Sequence, residues 1–356
     1  MKLSVQEDAR KLKALIRISL RHATPRKLFN LAVAEAMMLR RARRLPCMPY
    51  FLKIEPTNIC NLRCPLCPQV TGYCQVKAGV KPSYGALPFE RYAELIDEMH
   101  RYLFCVLLYG QGEPFLSGDI FRMIRLAQER NIGTMISTNL NIDRTGFAGE
   151  VVDSGLEYLE VSLDGTDQQA YAEFRVGGDF ALVMKNLSDI VETKRRLRHP
   201  TPRVEWKFIV MRHNEHQIEE ARRMAAEIGV DYLTFTPVSN IDPARKDLIK
   251  KWVSTDPRYS LYDAESGANL RTTRPKKACP WLYRSASINC DGSVSPCCYY
   301  PNFPQARFGD LGKEPFGAIW NNVRYENARA ICNRALLGQV GEKAGICYLC
   351  RRSEGA

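Results

Sequence analysis

Three cysteines, Cys60, Cys64 and Cys67, lie within eight residues in the spacing Cys-x3-Cys-x2-Cys. Their thiolates could hold three irons of a [4Fe-4S] cluster and leave the fourth iron without a protein ligand. Ordinary iron–sulfur carriers close the cluster with four cysteines. An open position is a place for chemistry, just as a catalytic zinc has three protein ligands and a structural zinc has four. The spacing therefore predicts a reactive cluster.

The same spacing resembles the cluster motif of the radical S-adenosylmethionine (SAM) enzymes. In that family the open iron binds the amino and carboxylate groups of SAM. An electron from the cluster then breaks a C–S bond of SAM and gives a 5′-deoxyadenosyl radical. The residue before the last cysteine is often aromatic in the family, and here it is Leu66. The resemblance implies SAM and a [4Fe-4S] cluster as cofactors, and a flavodoxin- or ferredoxin-type protein as electron donor.

Further motifs of this family follow at successive predicted strand ends. The segment from Gly110 to Pro114, Gly-Gln-Gly-Glu-Pro, resembles the one that binds the SAM amino group, and an acceptor-rich loop with a carboxylate suits an ammonium ion. A Ser-x-Asp-Gly segment implies that Ser162 contacts SAM and that Arg175 binds its carboxylate. Strand-end turn chemistry and a solvated helix position are the alternatives for these two residues. The predicted cofactor-binding residues are Gly110, Gly112, Glu113, Ser137, Asn139, Ser162, Asp164 and Arg175.

A second cysteine group lies near the C-terminus. The run C-x12-G-x4-C from Cys279 to Cys297 resembles the opening of the SPASM or twitch extension, which binds auxiliary [4Fe-4S] clusters in one branch of the superfamily. Cys347-x2-Cys350 would complete a four-thiolate site. The full SPASM pattern continues with more cysteines, whereas this sequence reaches Ala356 without another, so we expect the twitch version with one auxiliary cluster. A zinc site on the same four cysteines is the alternative.

The other cysteines leave several roles open. Cys290, Cys298 and Cys332 are alternative ligands of the second site, and Cys290 and Cys298 are candidate hydrogen donors to a substrate radical. Cys105 lies in an apolar run and is predicted to be a core residue.

From residue 51 to residue 237, short β-branched runs alternate with helical patterns, which predicts an α/β fold of parallel strands and helical crossovers. Periodicity alone does not separate an open doubly wound sheet from a barrel. The resemblance favours a partial (β/α)6 barrel of the TIM type, whose active site lies at the C-terminal ends of the strands. The predicted strands are 51–55, 104–109, 133–137, 159–163, 204–210 and 232–236, and the predicted helices are 88–101, 118–130, 145–154, 167–195 and 214–228.

The remainder of the chain gives the domain organisation. Asp291-Gly292 between two short runs predicts a β-hairpin, and a helix is expected over 314–330. The predicted domains are basic amphipathic helices over 1–48, the radical SAM core over 49–237, a linker without a clear period over 238–278, and a small auxiliary-cluster domain over 279–356.

The N-terminal segment carries most of the charge. Residues 1–45 contain twelve Lys and Arg and three Asp and Glu, against a net charge of +12 for all 356 residues, so no nucleic-acid partner is expected for the rest. Residues 4–21 fit an amphipathic helix, and Thr24-Pro25 begins a second one that runs to about Leu45. These helices either pack on the domain with basic faces in water, or contact a membrane surface or an anionic substrate, or bind an acidic electron donor.

Composition restricts the class of protein. The chain is 45% hydrophobic and 25% charged, no apolar run reaches the roughly 18 residues that span a bilayer, and the N-terminus lacks a signal peptide pattern. A cytoplasmic protein is expected, peripheral at the inner membrane face if the N-terminal helices contact lipid. Thirteen cysteines in such a chain favour metal binding over disulfides.

Together these features predict an enzyme that cleaves SAM reductively and abstracts a hydrogen atom from a substrate. An auxiliary cluster that accepts the remaining electron would make the reaction a two-electron oxidation of a small substrate, anionic or membrane-associated. A radical epimerase and a peptide-modifying maturase are the alternatives, although about 50 helical N-terminal residues are too few for the winged-helix domain that maturases commonly carry. A non-enzymatic iron–sulfur or zinc protein would leave the SAM motifs unexplained. The sequence does not select the substrate.

Overall fold

The computed structural model describes residues 2–71, 85–239, 241–242, 244–263, 279–297, 304–331 and 340–353. Cys298 and Cys332, named above as candidate ligands or donors, lie outside the described residues. The chain forms two compact units. The first comprises residues 1–17, 60–71 and 135–272, and the second comprises residues 18–59, 72–134 and 273–356.

Nine strands occur in the described residues. Their bounds are β1 Phe51–Ile54, β2 Cys105–Leu108, β3 Gly133–Thr138, β4 Tyr158–Ser162, β5 Arg203–Val210, β6 Tyr232–Pro237, β7 Ser285–Ile288, β8 Ser293–Ser295 and β9 Gly309–Asp310. In the first unit, β3, β4, β5 and β6 pair in this order and run parallel. In the second unit, β1 pairs in parallel with both β2 and β7, and β8 and β9 continue from β7 in antiparallel pairing. All six strands predicted for the core are present within two residues of their expected bounds.

Helices alternate with these strands, as expected for parallel crossovers. The α-helices of the described residues are α1 Lys2–Arg21, α2 Pro25–Arg40, α3 Pro68–Thr71, α4 Phe89–Met99, α5 Ile120–Glu129, α6 Phe147–Asp153, α7 Gln168–Phe174, α8 Phe180–Arg196, α9 Ile218–Ile228, α10 Lys246–Trp252, α11 Trp281–Arg284, α12 Phe316–Trp320, α13 Val323–Ala330 and α14 Ile346–Ser353.

Strands β4 and β5 of the first unit have one apolar and one polar face. Leu159, Val161 and Trp206 are fully buried on the apolar face, whereas Glu160 and Lys207 alternate with them along β4 and β5. Strand side chains alternate between faces, so the polar residues share the other side of the sheet. This is the side on which the strands present charged and hydroxyl groups.

Glu160 holds the first helix on this polar face. Its carboxylate pairs with the Lys11 ammonium at 2.7 Å and the Lys207 ammonium at 3.7 Å, and it accepts a 2.8 Å hydrogen bond from the Ser137 hydroxyl. Burial alone would raise the pKa of Glu160, but the two lysines outweigh burial and lower it to about 2. Glu160 therefore carries a negative charge that attaches α1 to β4.

Two helices predicted as continuous are broken. The helix expected over 167–195 divides into α7 and α8 because Gly177 takes a positive φ of 88° and Asp179 caps the second helix by accepting from Leu182 N at 3.0 Å. The helix expected over 314–330 divides into α12 and α13 because Asn322 caps α13 through its side chain.

One helix ends earlier than expected, and the predicted linker contains a helix. The second N-terminal helix ends at Arg40, not near Leu45, because Arg41 adopts a left-handed cap with φ 53°. The segment predicted as a linker contains α10, which buries Ile249 and Trp252 and leaves its lysines outside. Ile249 and Trp252 are three residues apart, so they lie on one side of this helix.

The predicted hairpin is present. Asp291 accepts a 3.0 Å hydrogen bond from Ser293 N, and Gly292 has a positive φ of 80°, as an Asp-Gly turn requires. Within the described ranges, no helix is both long and apolar enough to cross a bilayer.

Candidate active site

The Cys-x3-Cys-x2-Cys segment forms a short loop in the first unit. Cys64 is buried in an apolar cluster with Leu62, Phe174 and Trp252, and Cys60 and Cys67 are half-buried at its border. The Cys67 N–H donates to the Cys64 carbonyl oxygen at 3.0 Å, which tightens the turn. Burial raises the pKa of the Cys64 thiol.

Two side-chain N–H groups point at sulfur atoms of this loop. Arg175 Nη1 lies 3.8 Å from Cys64 Sγ, and Asn139 Nδ2 lies 3.7 Å from Cys60 Sγ. Hydrogen bonds to cysteine sulfur stabilise the electron-rich state of an iron–sulfur cluster and set its reduction potential. Two of the three sulfur atoms of the loop therefore have an N–H donor beside them.

Asp164 fixes the Arg175 guanidinium. Arg175 Nε and Nη2 lie 2.7 and 2.6 Å from Asp164 Oδ2, and Asp164 Oδ1 accepts a 2.6 Å hydrogen bond from Ile209 N. Burial opposes the charge of Arg175, but the Asp164 carboxylate outweighs burial and raises the pKa of Arg175. Asp164 and Arg175, two of the predicted cofactor-binding residues, thus form one ion pair, and Asp164 is fully buried. The predicted contact of Arg175 with the SAM carboxylate stays a prediction.

A chain of amides that sequence analysis did not single out orients Asn139. Asn139 Nδ2 also donates to Asn61 Oδ1 at 2.9 Å, and Asn139 Oδ1 accepts from Asn141 N at 2.8 Å. Asn61 Nδ2 donates to the Asn141 carbonyl at 2.7 Å, and Asn141 Nδ2 contacts the Tyr171 hydroxyl at 2.5 Å. The alternating Thr-Asn-Leu-Asn segment after β3 is the sequence signal that could have identified this network.

The two serines predicted to contact SAM have different surroundings. The Ser137 hydroxyl is used by Glu160, as described above, whereas Ser162 is half-buried at the last position of β4. Their contacts with a cofactor remain predictions.

The Gly-Gln-Gly-Glu-Pro loop follows β2 in the second unit. Gly110 and Gly112 are required by packing, because a Cβ at Gly110 would lie 2.4 Å from Glu55 Oε1 and a Cβ at Gly112 would lie 2.3 Å from the Thr57 carbonyl oxygen. Glu113 is buried, and its Oε1 accepts a 3.1 Å hydrogen bond from Phe115 N. The loop backbone is therefore pressed against the segment that follows β1.

Glu55 connects this loop to the C-terminal hairpin. Its Oε1 accepts from Gln111 N at 2.7 Å, and its Oε2 accepts from Cys290 N at 3.2 Å. Burial and the Glu55 carboxylate raise the pKa of the Cys290 thiol to about 12, so this thiol keeps its proton at neutral pH. Cys290 is a candidate on residue type alone, whereas no pattern in the sequence distinguishes Glu55.

The predicted auxiliary ligands lie in the second unit. Cys297 follows β8 by two residues, and Cys347 and Cys350 are three residues apart on α14, which places them on one side of the helix. Burial raises the pKa of Tyr325, Arg329 opposes this shift, and the Cys347 and Cys297 sulfurs add to it. Cys279 lies just before α11.

The chemical type of the side chains present indicates whether the predicted sites could bind iron–sulfur clusters. In the part of the chain that the structure describes, no three side chains of the His, Cys, Asp or Glu type are close enough together to hold a metal ion. Thiolates are nonetheless the ligands that iron–sulfur clusters use, and one loop supplies three of them with N–H groups directed at two sulfurs. The chemistry of these side chains therefore suits a cluster in the first unit, while the assignment of each ligand remains a prediction.

Comparison with known proteins identifies the family of both segments. The model of the radical SAM superfamily matches residues 54–198, and that of an iron–sulfur cluster-binding domain, SPASM, matches residues 279–351. A tungsten-containing aldehyde ferredoxin oxidoreductase cofactor-modifying protein of Pyrococcus furiosus is 22% identical over 313 residues, or 80% of this chain and 85% of the relative. Mycofactocin maturase MftC of Mycobacterium ulcerans is 25% identical over 181 residues, or 51% of this chain and 45% of the relative.

Solved structures share the fold. SuiB of Streptococcus suis bound to S-adenosylmethionine superposes with a TM-score of 0.59 at 17% identity, over 82% of this chain and 70% of SuiB. SuiB bound to the precursor peptide SuiA gives a TM-score of 0.57 at 17% identity, over 83% of this chain and 69% of SuiB. These likenesses confirm the predicted α/β partial barrel. The family matches confirm SAM with a [4Fe-4S] cluster, and auxiliary iron–sulfur binding, as the cofactors.

Proposed function

Because the chain belongs to the radical SAM superfamily and carries a SPASM domain, we propose that it oxidises a small substrate by two electrons after hydrogen abstraction. When bound, SAM and its cluster supply a 5′-deoxyadenosyl radical, and an auxiliary cluster supplies an acceptor for the electron left on the substrate. We assign the first cluster to Cys60, Cys64 and Cys67, and one auxiliary cluster of the twitch type to Cys279, Cys297, Cys347 and Cys350.

The observation that supports the site of the first cluster in this proposal is the pair of N–H groups aimed at Cys64 and Cys60. A merely structural cysteine loop has no need of a buried guanidinium beside its sulfur. Asp164 orients that guanidinium, and the amide network orients Asn139. Both donors act as positioning residues for the cluster ligands.

The remaining motif residues are assigned to SAM. We propose that Glu113 accepts from the SAM ammonium and that the glycines on either side of Gln111 allow the backbone to approach it. The end of β3 carries Ser137 and Asn139, and the end of β4 carries Ser162. A partial barrel binds its ligands at these strand ends. A flavodoxin- or ferredoxin-type donor would supply the initial electron.

Modification of a peptide is the second candidate function. It is supported by the similarity to a relative named as a mycofactocin maturase, which covers about half of each chain. An epimerase would instead need a hydrogen donor, and the protonated thiol of Cys290 is the candidate within the described residues.

A substrate search tests the oxidation. Reconstituted enzyme receives SAM, reductant and a cell extract, either untreated or digested with protease, and 5′-deoxyadenosine is measured. Oxidation of a small molecule predicts stimulation that survives digestion, with one product oxidised per SAM consumed and no solvent deuterium in the product. Stimulation that protease digestion removes would favour a peptide substrate. Solvent deuterium incorporation that depends on Cys290 would favour epimerisation. Either result would contradict the proposed oxidation of a small substrate.

A further inference from the structure

The two N-terminal helices expose an unusual number of large apolar side chains. Among the described residues, twelve large hydrophobic side chains are exposed, and six of them lie on α1 or α2. Soluble surfaces scatter such side chains singly, whereas a concentration indicates a contact surface. The six residues are Leu12, Ile16, Leu20, Leu28, Phe29 and Leu39.

Three of them form one stripe along α1. Leu12, Ile16 and Leu20 are four residues apart, which places them on one side of a helix, and they are 57%, 49% and 71% exposed. We call them the apolar stripe. Each is followed directly by an exposed basic residue, so a basic row runs beside the stripe; its members are Lys13, Arg17 and Arg21.

The other side of α1 is attached to the protein. Lys11 pairs with the buried Glu160, and Ile18 is buried. On a helical wheel, Lys11 and Ile18 lie opposite the centre of the apolar stripe. The stripe therefore faces outward because the attachment of α1 fixes its rotation.

Charge complementarity identifies what covers this surface. The sequence contains no Asp or Glu from Leu12 to Ala34, while it contains five Lys and Arg in the same interval. We propose that α1 docks the protein on an anionic lipid bilayer, with the apolar stripe at the acyl boundary and the basic row at the phosphates.

Two other occupants explain less of the surface. A second copy of the chain would bring basic rows towards each other, and like charges repel. An acidic protein would match the basic row but would leave three large apolar side chains without a role. A lipid surface accounts for both features, and this docking does not depend on which reaction the enzyme catalyses.

Vesicle sedimentation of the reconstituted full chain tests the proposal. The protein should bind vesicles of equimolar phosphatidylcholine and phosphatidylglycerol, and bind phosphatidylcholine alone much more weakly. Leu12→Ser with Leu20→Ser should lower the partition coefficient about tenfold, since each removes apolar burial. Lys13→Glu, Arg17→Glu and Arg21→Glu together should abolish the preference for the anionic vesicles.

Matched controls separate surface effects from docking. Leu197→Ser with Val323→Ser removes two other exposed apolar side chains, and charge reversals at Arg125, Arg198 and Lys313 match the change in net charge. Neither control set should alter vesicle binding, and SAM cleavage with a chemical reductant should be unchanged in every variant. The proposal fails if wild-type protein does not bind anionic vesicles, if the stripe and control variants bind alike, or if the stripe variants instead dissociate a dimer in light scattering.

Discussion

The backbone N–H of Glu113 donates a 2.8 Å hydrogen bond to the carbonyl oxygen of Ile59, the residue before the first cysteine of the cluster motif. The glycine that precedes Glu113 makes this contact possible. A Cβ on Gly112 would lie 2.3 Å from the Thr57 carbonyl oxygen and 2.6 Å from that of Ile59. The loop assigned to the SAM ammonium is therefore in direct backbone contact with Ile59.

Replacement of Gly112 by Ala should displace this loop. The new methyl group meets backbone carbonyls, which cannot move aside as a side chain could. A displacement of about 1 Å costs about 100-fold in rate, so SAM cleavage should fall by about that factor. Gly118→Ala is the control, since a Cβ there has no atom within 4 Å. Equal cleavage by the two variants would contradict the proposed role of the loop.

Removal of Arg175 should destabilise the protein because the buried Asp164 would lose its cationic partner. Arg175→Ala is expected to lower the free energy of unfolding by about 3–5 kcal/mol, measured by urea denaturation under anaerobic conditions. Arg122→Ala, which breaks the exposed pair with Asp119, should change it by less than about 1 kcal/mol.

The same ion pair also predicts a spectroscopic effect. Arg175→Lys keeps the positive charge but lacks the planar fork that reaches both Asp164 and Cys64. The reduction potential of the first cluster, followed by electron paramagnetic resonance, should therefore fall in this variant. An unchanged potential would show that the contact between Arg175 and Cys64 does not influence the cluster.

Replacement of Glu55 by Gln should make Cys290 more acidic. The thiol pKa is raised to about 12 by burial and by the Glu55 carboxylate, and removal of a negative neighbour favours the thiolate. Alkylation of Cys290 at pH 9, measured by peptide mass spectrometry, should be faster in Glu55→Gln than in wild type. The exposed Glu94→Gln serves as control, and the proposed contact fails if both variants react at the wild-type rate.

Replacement of Cys347 by Ala should remove the auxiliary cluster and leave the first. Iron content is expected to fall from about eight to about four per chain, because a [4Fe-4S] cluster needs its thiolate ligands. SAM cleavage should continue without completing the substrate oxidation. Cys105→Ala, which changes a fully buried core thiol, should retain all iron. Retained iron in the Cys347 variant would instead remove this residue from the ligand set.

The sequence predicts the arrangement of the core well because local patterns determine it. Strand β5 alternates between buried and half-buried positions from Trp206 to Val210, and each predicted run is short and bounded by turns. Helix breaks are harder to predict, because Asp179 and Asn322 act as caps only where the chain has room to turn. Helix propensity averaged over a window of residues does not detect the effect of a single capping residue.

The candidate site also contains residues that the sequence predicts and residues that it does not. Its cysteines are evident from spacing alone, whereas Glu55 and Asn61 act through partners more than 50 residues distant in sequence. Arg329 is a further example, since its buried guanidinium donates to the carbonyl oxygen of Arg43, 286 residues earlier in the chain. Burial lowers the pKa of Arg329 to about 10, and no periodic pattern distinguishes it from the exposed arginines around it.

The most direct test of the account is the formation of 5′-deoxyadenosine from SAM by anaerobically reconstituted protein with a strong reductant. We predict formation by the wild type and none by Cys64→Ala. In the wild type, Cys64 Sγ lies beside Arg175 and is assigned to the first cluster. Cys105→Ala should retain activity. Formation that persists undiminished in Cys64→Ala would contradict the assignment of the open cluster to this loop.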